Sequence, residues 1–277
     1  MSKLPDLKGE EWQQFFEKGA SEYKKQSGGV TLAILQQVLD MLPPITSSSI
    51  IHDNACGPGV ATMEILARAT KAGTSLPCIQ ATDYSEGMIT ILQGRIDEGK
   101  WSGSVTAQIM DGSDLSPIAD DTFTHCITNF GIFAFPDAVA GAGHIRRTLK
   151  PGGTAAITTW KSPENIFFIN KVREILAPGC APWFPLQEWL EEGKLPGVLH
   201  EAGFEKKRTE ISELRAIWDI SDLGACVELF DGPFWNGAKE GLNEEQKGRW
   251  SKVIREELEK RQGKGIEMIA WVAVVRK

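Results

Sequence analysis

The sequence predicts an α/β protein built on a doubly wound, mostly parallel sheet with helices on both faces. Short apolar strands alternate with amphipathic helices from Ser49 to Trp160, the rhythm of consecutive βαβ units. The first strand runs directly into a glycine- and proline-rich turn, Asn54-Ala55-Cys56-Gly57-Pro58-Gly59, which opens a helix. Three acids, Asp53, Asp83 and Asp111, fall at successive strand ends. In an open α/β sheet, ligands bind outside the carboxyl ends of the strands, so these acids converge on one crevice.

The elements follow in order. Trp12, Phe16, Gly19 and Tyr23 share one helical face, and Leu32, Leu35, Leu39 and Leu42 mark a second helix that Pro43-Pro44 stops. Ser49 to Asp53 is a strand and Val60 to Ala72 a helix. Cys78 to Asp83, Val105 to Met110, Phe123 to Asn129 and Thr154 to Trp160 are further strands. Ser85 to Glu98 and the face made by Ala138, Ala142, Ile145 and Leu149 supply helices between them. Beyond Trp160, residues 163–203 read as helical and contain the aromatic run Ala181-Pro182-Trp183-Phe184-Pro185. A strand at about 205–215, an aromatic loop from Phe230 to Trp235, a polar helix from Glu244 to Arg261 and an apolar strand from Met268 to Val275 complete the chain.

Composition narrows the class. Of 277 residues, 42% are apolar and 24% charged, ordinary globular usage. A net charge of −7 without a long basic run argues against a nucleic-acid partner, because Lys and Arg supply most of the affinity for phosphates. Five cysteines without a C-x-x-C pair argue against a disulfide framework and against a metal site, and fit reduced thiols in the cytoplasm. No apolar run reaches the ~20 residues of a membrane helix, and residues 1–10 carry no apolar signal core. A cytoplasmic monomer or homodimer, with no membrane or nucleic-acid partner, is the expectation.

A strand end, a glycine turn and a helix together make a nucleotide-type site, since Gly57 and Gly59 let the backbone approach a ligand closely. The dinucleotide fingerprint is only half met, with Thr62 at its third glycine position. Three carboxylates would repel a pyrophosphate. They suit a ligand that offers a ribose diol, an adenine amino group and positive charge, which points to S-adenosylmethionine.

From Ile50 to Trp160 the chain resembles the core of class I S-adenosylmethionine-dependent methyltransferases. It is most similar to small-molecule enzymes of the ubiquinone/menaquinone type and their fungal secondary-metabolite relatives. Asp53 to Gly59 matches the family's first motif, and the resemblance implies that Asp53, Ala55, Cys56, Gly57 and Gly59 lie under the methionine part of the cofactor. Asp83-Tyr84-Ser85 with Met88 resembles the second motif, whose acid takes the ribose hydroxyls and whose neighbours flank adenine. Met110-Asp111-Gly112 resembles the third, which receives the adenine amino group. Asn129-Phe130-Gly131-Ile132-Phe133 resembles the fourth, at the methyl-transfer end, and Leu149-Lys150-Pro151-Gly152-Gly153 the turn before the fifth strand. The resemblance further implies a seven-stranded sheet with an antiparallel last strand. It also implies a helical cap over residues 1–45, with Tyr23 closing on the cofactor, a cofactor-binding core over 46–160, and acceptor-pocket helices and terminal strands over 161–277. Phe133, Trp160, Trp183, Phe234 and Trp235 are the expected contacts of a small, apolar or aromatic methyl acceptor.

Plainer readings stand beside these. Asp53 and Asp83 are also favoured helix caps, and Asp111 sits in a turn-rich acidic loop. Cys56 reads as a small residue in a tight turn. His52 and His125 lie inside expected strands and His144 and His200 on expected helices, so no catalytic histidine is assigned. The same fold also serves other reactions with the same cofactor, such as cyclisation. Thr62 and Asp111 disfavour a nicotinamide-dependent reductase, and the intact set of acids disfavours a non-catalytic scaffold.

Overall fold

The computed structural model of the protein describes residues 29–183, 187–261 and 263–277. The helix expected around Trp12 to Tyr23, and Phe184, lie outside the described residues. Helix α1 (Val30–Met41) buries Val30, Thr31, Ile34, Leu35, Val38 and Leu39. Its apolar stripe is thus wider than the leucine row alone, as a helix packed onto a sheet requires.

Strand β1 (Ile50–Asn54) is buried from Ile51 onward. A central parallel strand is covered on both faces, which is why His52, Asp53 and Asn54 are all inside and no alternation is visible. The turn after it leads to α2 (Val60–Ala72), closed by Gly73 in the left-handed conformation. Then follow β2 (Cys78–Asp83), α3 (Glu86–Gly99), β3 (Val105–Ile109) and β4 (Phe123–Asn129). Helix α4 (Ala138–Thr148) is capped by Asp137, whose carboxylate accepts the Ala140 N–H. It passes directly into β5 (Leu149–Ser162), which is longer at both ends than the expected Thr154 to Trp160.

The second half contains α5 (Glu164–Leu176), α6 (Gln187–Leu190), α7 (Lys194–Glu201) and β6 (Thr209–Trp218). Next come α8 (Leu223–Asp231) and a 3-10 turn (Pro233–Lys239), where a loop was expected. Pro233 fits the first position of that turn because its missing N–H would have no partner there. The polar helix expected from Glu244 to Arg261 is two helices, α9 (Glu244–Gly248) and α10 (Trp250–Glu259). Gly248 explains the break, since glycine is the weakest helix former after proline. Strand β7 (Ile266–Arg276) ends the fold.

The sheet has the order β3-β2-β1-β4-β5-β7-β6. Strands β1 to β5 pair in parallel, and β7 runs antiparallel to both β5 and β6. The doubly wound architecture and the antiparallel last strand are as expected, with β7 inserted between β5 and β6. Helix α1 lies over the outer strand, where Gln37 Nε2 donates to the Arg215 carbonyl at 3.0 Å; such cover protects an exposed edge. Among the described residues no helix is long and apolar enough to cross a membrane.

Candidate functional site

Strand order reverses between β1 and β4, and a crevice opens there at the carboxyl ends of the strands. It forms a cleft open to solvent and lined from the ends of β1, β2 and β4, the concave setting in which small-molecule sites occur. Its floor is the turn after β1. Gly57 lines it with a left-handed backbone (φ 54°). Apart from its chain neighbours, no atom of the described residues lies within 4 Å of where a Cβ on Gly57 would stand, so among them the main chain is bare towards a ligand.

The turn is bolted to the next strand and helix. The Cys56 N–H donates to the Thr82 carbonyl at 2.9 Å, the Gly57 N–H to Asp83 Oδ2 at 2.7 Å, and Arg95 Nη1 to the Pro58 carbonyl at 2.7 Å. Leu92 fills the space beside Gly59, so that glycine faces helix α3 and is not on the cleft wall.

Asp53 supports the start of helix α2 from the wall of the cleft. It lines the cleft, and its Oδ2 accepts the Thr62 N–H at 2.9 Å and the Thr62 hydroxyl at 2.6 Å. The N-cap of α2 is Gly59, which has no side chain to cap with, so a carboxylate from β1 satisfies the orphan donor instead. Burial raises the Asp53 pKa from 3.8 to about 6, against the two Thr62 hydrogen bonds, with the Asp83 charge adding to the rise.

Asp83 accepts the Gly57 N–H on one oxygen and the Ser85 N–H, at 2.9 Å, on the other. The cap of α3 falls to Ser85, whose hydroxyl accepts the Met88 N–H at 3.1 Å, so Asp83 is not spent as a helix cap. Asp111 turns its own loop, with Oδ1 accepting the Ser113 N–H and hydroxyl, both at 2.8 Å. The three carboxylates share one lining, which holds no Lys, Arg or His among the described residues. The cleft therefore favours a cationic ligand.

Burial and the two neighbouring acids push the Cys56 thiol well above its ordinary pKa, so it is no thiolate nucleophile. His52 is buried against Thr82 at 2.9 Å, and burial lowers its pKa to about 3, leaving a neutral ring in the sheet. His125 contacts the Thr124 hydroxyl and the Pro43 carbonyl. His52 thus links β1 to β2, and His125 ties β4 to the segment after α1. Among the described residues no group of three or more His, Cys, Asp or Glu is placed to hold a metal.

Ala55, Tyr84, Met88, Gly112, Asn129 and Phe130 also line the cleft. Met110 packs against the core instead, and Tyr23 lies outside the described residues. The expected acceptor contacts sit elsewhere. Phe133 is in the core, and Trp160 stands behind Phe130 with ring centroids 4.0 Å apart. Trp183 and Phe234 are half-buried against Trp235. Trp235 has 0% exposure and belongs to an aromatic core with Phe230, Phe168 and Trp218. A large apolar ring finds more area to bury in that cluster than on a cleft wall.

Sequence reading missed Thr31, Val60, Ala61, Ala134, Phe135 and Pro136, all of which line the cleft, as do Ser85 and Gly131 of the second and fourth motifs. Phe135 is the clearest case. Its ring occupies the space of absent Cβ atoms at both Gly112 and Gly141. Two glycines flanking one aromatic residue were the available signal, but they lie in different elements.

Residues 6–174 match the model of the ubiE/COQ5 methyltransferase family. The chain belongs to that family. The methyltransferase tpcH of Aspergillus fumigatus is 28% identical over 65% of this chain and 66% of its own length. A UbiE C-methyltransferase of Geobacter sulfurreducens is 33% identical over 43% of this chain and 44% of its own. The chain spans 66% of tpcH and 61% of the related ucsB from an Acremonium species, less than two thirds of either. Among solved structures, the [4+2]-cyclase SpnF superposes with a TM-score of 0.59 at 15% identity, covering 100% of this chain and 99% of that one. A Haemonchus contortus phosphoethanolamine N-methyltransferase, solved with S-adenosylhomocysteine, gives 0.55 at 13% identity over 96% of this chain and 60% of that one. At such identities these two share the fold.

Proposed function

We propose that the protein binds S-adenosylmethionine in the β1/β4 cleft and transfers its methyl group to an oxygen, nitrogen or carbon atom of a small, apolar or aromatic metabolite. The observation that carries this reading is the convergence of Asp53, Asp83, Asp111 and the bared Gly57 backbone on one cleft in a chain of this family. Related proteins named for demethylmenaquinone methylation and for bis-thiomethylation support a small acceptor.

The residues present fit the cofactor. The cofactor supplies, when bound, a methyl carbon activated by a sulfonium. Asp83 accepts the ribose hydroxyls while the two backbone donors hold its carboxylate in place. Asp111 accepts the adenine amino group, and Tyr84 and Met88 flank the base. The turn from Ala55 to Gly59 carries the methionine part, with Asp53 adding negative charge near its ammonium. Phe130, Ala134, Phe135 and Pro136 supply apolar walls that exclude water. Holding two reactants in line supplies roughly 7–11 kcal/mol of such a barrier, so a cleft without a histidine base is adequate to the task. Residues 46–160 form the cofactor-binding core, and the working form is a cytoplasmic monomer or homodimer.

Calorimetric titration with S-adenosylmethionine, S-adenosylhomocysteine and NADH tests the reading. Micromolar binding of the first two, followed by acceptor products heavier by one methyl group, is the expected result. Cofactor binding with products of unchanged mass places the reaction among rearrangements such as cyclisation. Binding of NADH alone refutes the proposal.

A further inference from the structure

We infer that Thr158, on β5 and outside the cleft lining, is a positioning residue that holds Phe130 and Asn129 in the form the cofactor site requires. The inference rests on the proposed cofactor site and deepens it. Thr158 pairs with Asn129 at the last rung of the β4–β5 ladder. One step further, Phe130 leaves the sheet with φ 57°, a left-handed backbone that an aromatic residue seldom adopts. The Thr158 hydroxyl accepts the Phe130 N–H at 2.8 Å and donates to Asn129 Oδ1 at 3.1 Å. Trp160 backs the Phe130 ring in a near-parallel stack, 23° between planes. Asn129 Nδ2 then reaches the Thr31 carbonyl of α1 at 3.4 Å. A single buried hydroxyl thus ties β5 to the end of β4 and, through Asn129, to α1.

Two neighbours indicate that this is not merely a threonine favoured in a strand. Among the described residues the equally buried Thr159 hydroxyl has no hydrogen-bond partner and that of Thr128 meets only the Cys126 thiol, whereas both capacities of Thr158 are used at the cleft end. The held conformation reaches the cofactor turn. A Cβ on Gly131 would stand 2.5 Å from the Ala55 Cβ, so the peptide after Phe130 rests directly on the turn beneath the proposed methionine site. If Phe130 relaxes to an ordinary backbone, Gly131 moves against or away from Ala55 and the turn shifts with it.

The test uses the full chain and S-adenosylhomocysteine as the probe, read by calorimetry beside a melting curve. Thr158→Val is expected to weaken binding about tenfold, consistent with leaving a buried N–H unpaired beside the site. Thr158→Ser, which keeps the hydroxyl, should stay within about twofold. Thr159→Val removes an unpartnered hydroxyl and should leave affinity unchanged. Thr158→Ala carries the same expectation as valine if valine is not accommodated. In a Phe130→Gly background, Thr158→Val should cost less than about twofold, because glycine holds this backbone unaided. A lower melting temperature with unchanged affinity in Thr158→Val overturns the inference, as does an equal loss in the Phe130→Gly background. Wild-type protein that binds no S-adenosylhomocysteine overturns the cofactor reading itself, and this inference with it.

Discussion

Replacing Asp53 by Asn should make the protein more stable near neutral pH while weakening its cofactor site. Asp53 is 1% exposed, and its pKa rises from 3.8 to about 6 on folding, chiefly by desolvation. Between those two values the native state binds more protons than the unfolded chain, so stability falls as pH rises through the window. The rise corresponds to ~3 kcal/mol, present below about pH 4 and lost by pH 7. An asparagine amide still accepts from the Thr62 N–H and hydroxyl, so the cap on α2 survives without the buried charge. Urea unfolding of both proteins at intervals from pH 4 to 7.5 isolates the effect, because every other titrating group is common to the pair. The variant's advantage should grow by ~3 kcal/mol across that range and then level off. A difference that is constant with pH, or shrinks as pH rises, refutes the desolvated carboxylate. The same variant should bind S-adenosylmethionine roughly tenfold more weakly, since the ligand's positive charge loses a buried counterion.

Asp83→Ala should lower S-adenosylhomocysteine affinity about 100-fold or more, because charge-assisted bonds contribute ~1.5–3 kcal/mol each and the Gly57 N–H loses its anchor too. A folded variant with affinity within threefold of wild type would remove Asp83 from the site. Gly141→Ala should gain up to ~1 kcal/mol of helix propensity. Its Cβ would nevertheless stand 2.6 Å from the Phe135 ring, so calorimetry should read about a fivefold loss of cofactor affinity; unchanged affinity refutes the seating of that ring. Trp235→Ala should cost about 3–5 kcal/mol and lower the melting temperature by roughly 10 °C. An unchanged melting point with a raised acceptor KM would instead return Trp235 to the acceptor wall.

The cofactor half of the fold was legible because its signals are local. A run of apolar residues, an acid and a glycine turn are adjacent in sequence, and parallel topology fixes where their ends meet. Asp53, Asp83, Asp111 and Gly57 therefore came from the chain alone. Phe135 did not, because its seat joins Gly112 and Gly141, on opposite sides of it in sequence and in different elements. The aromatic tail misled for a related reason. Composition counts the rings but cannot separate Trp235, which buries its whole surface against Phe230 and Trp183, from a ring that faces solvent.

Strain is concentrated where β1 and β4 end. Ala55 and Phe130 both take a left-handed backbone without being glycine, as do only Lys100 and Asp121 elsewhere among the described residues, both exposed and outside the cleft. Each such residue costs ~1–3 kcal/mol, a noticeable part of the 5–15 kcal/mol that typically holds a domain together. Neither conformation serves the sheet, because both residues lie just beyond the last paired rungs, Asn54 with Thr82 and Asn129 with Thr158. Glycine would relieve each position. What glycine lacks is the Ala55 Cβ that fills the space above Gly131 and the Phe130 ring that stacks on Trp160. The first contact joins the ends of β1 and β4 across the order reversal and the second ties β4 to β5, so the strain is offset by a rigid floor and wall for the cleft. A site that must hold two reactants in line, with little help from acid–base groups, depends on that rigidity.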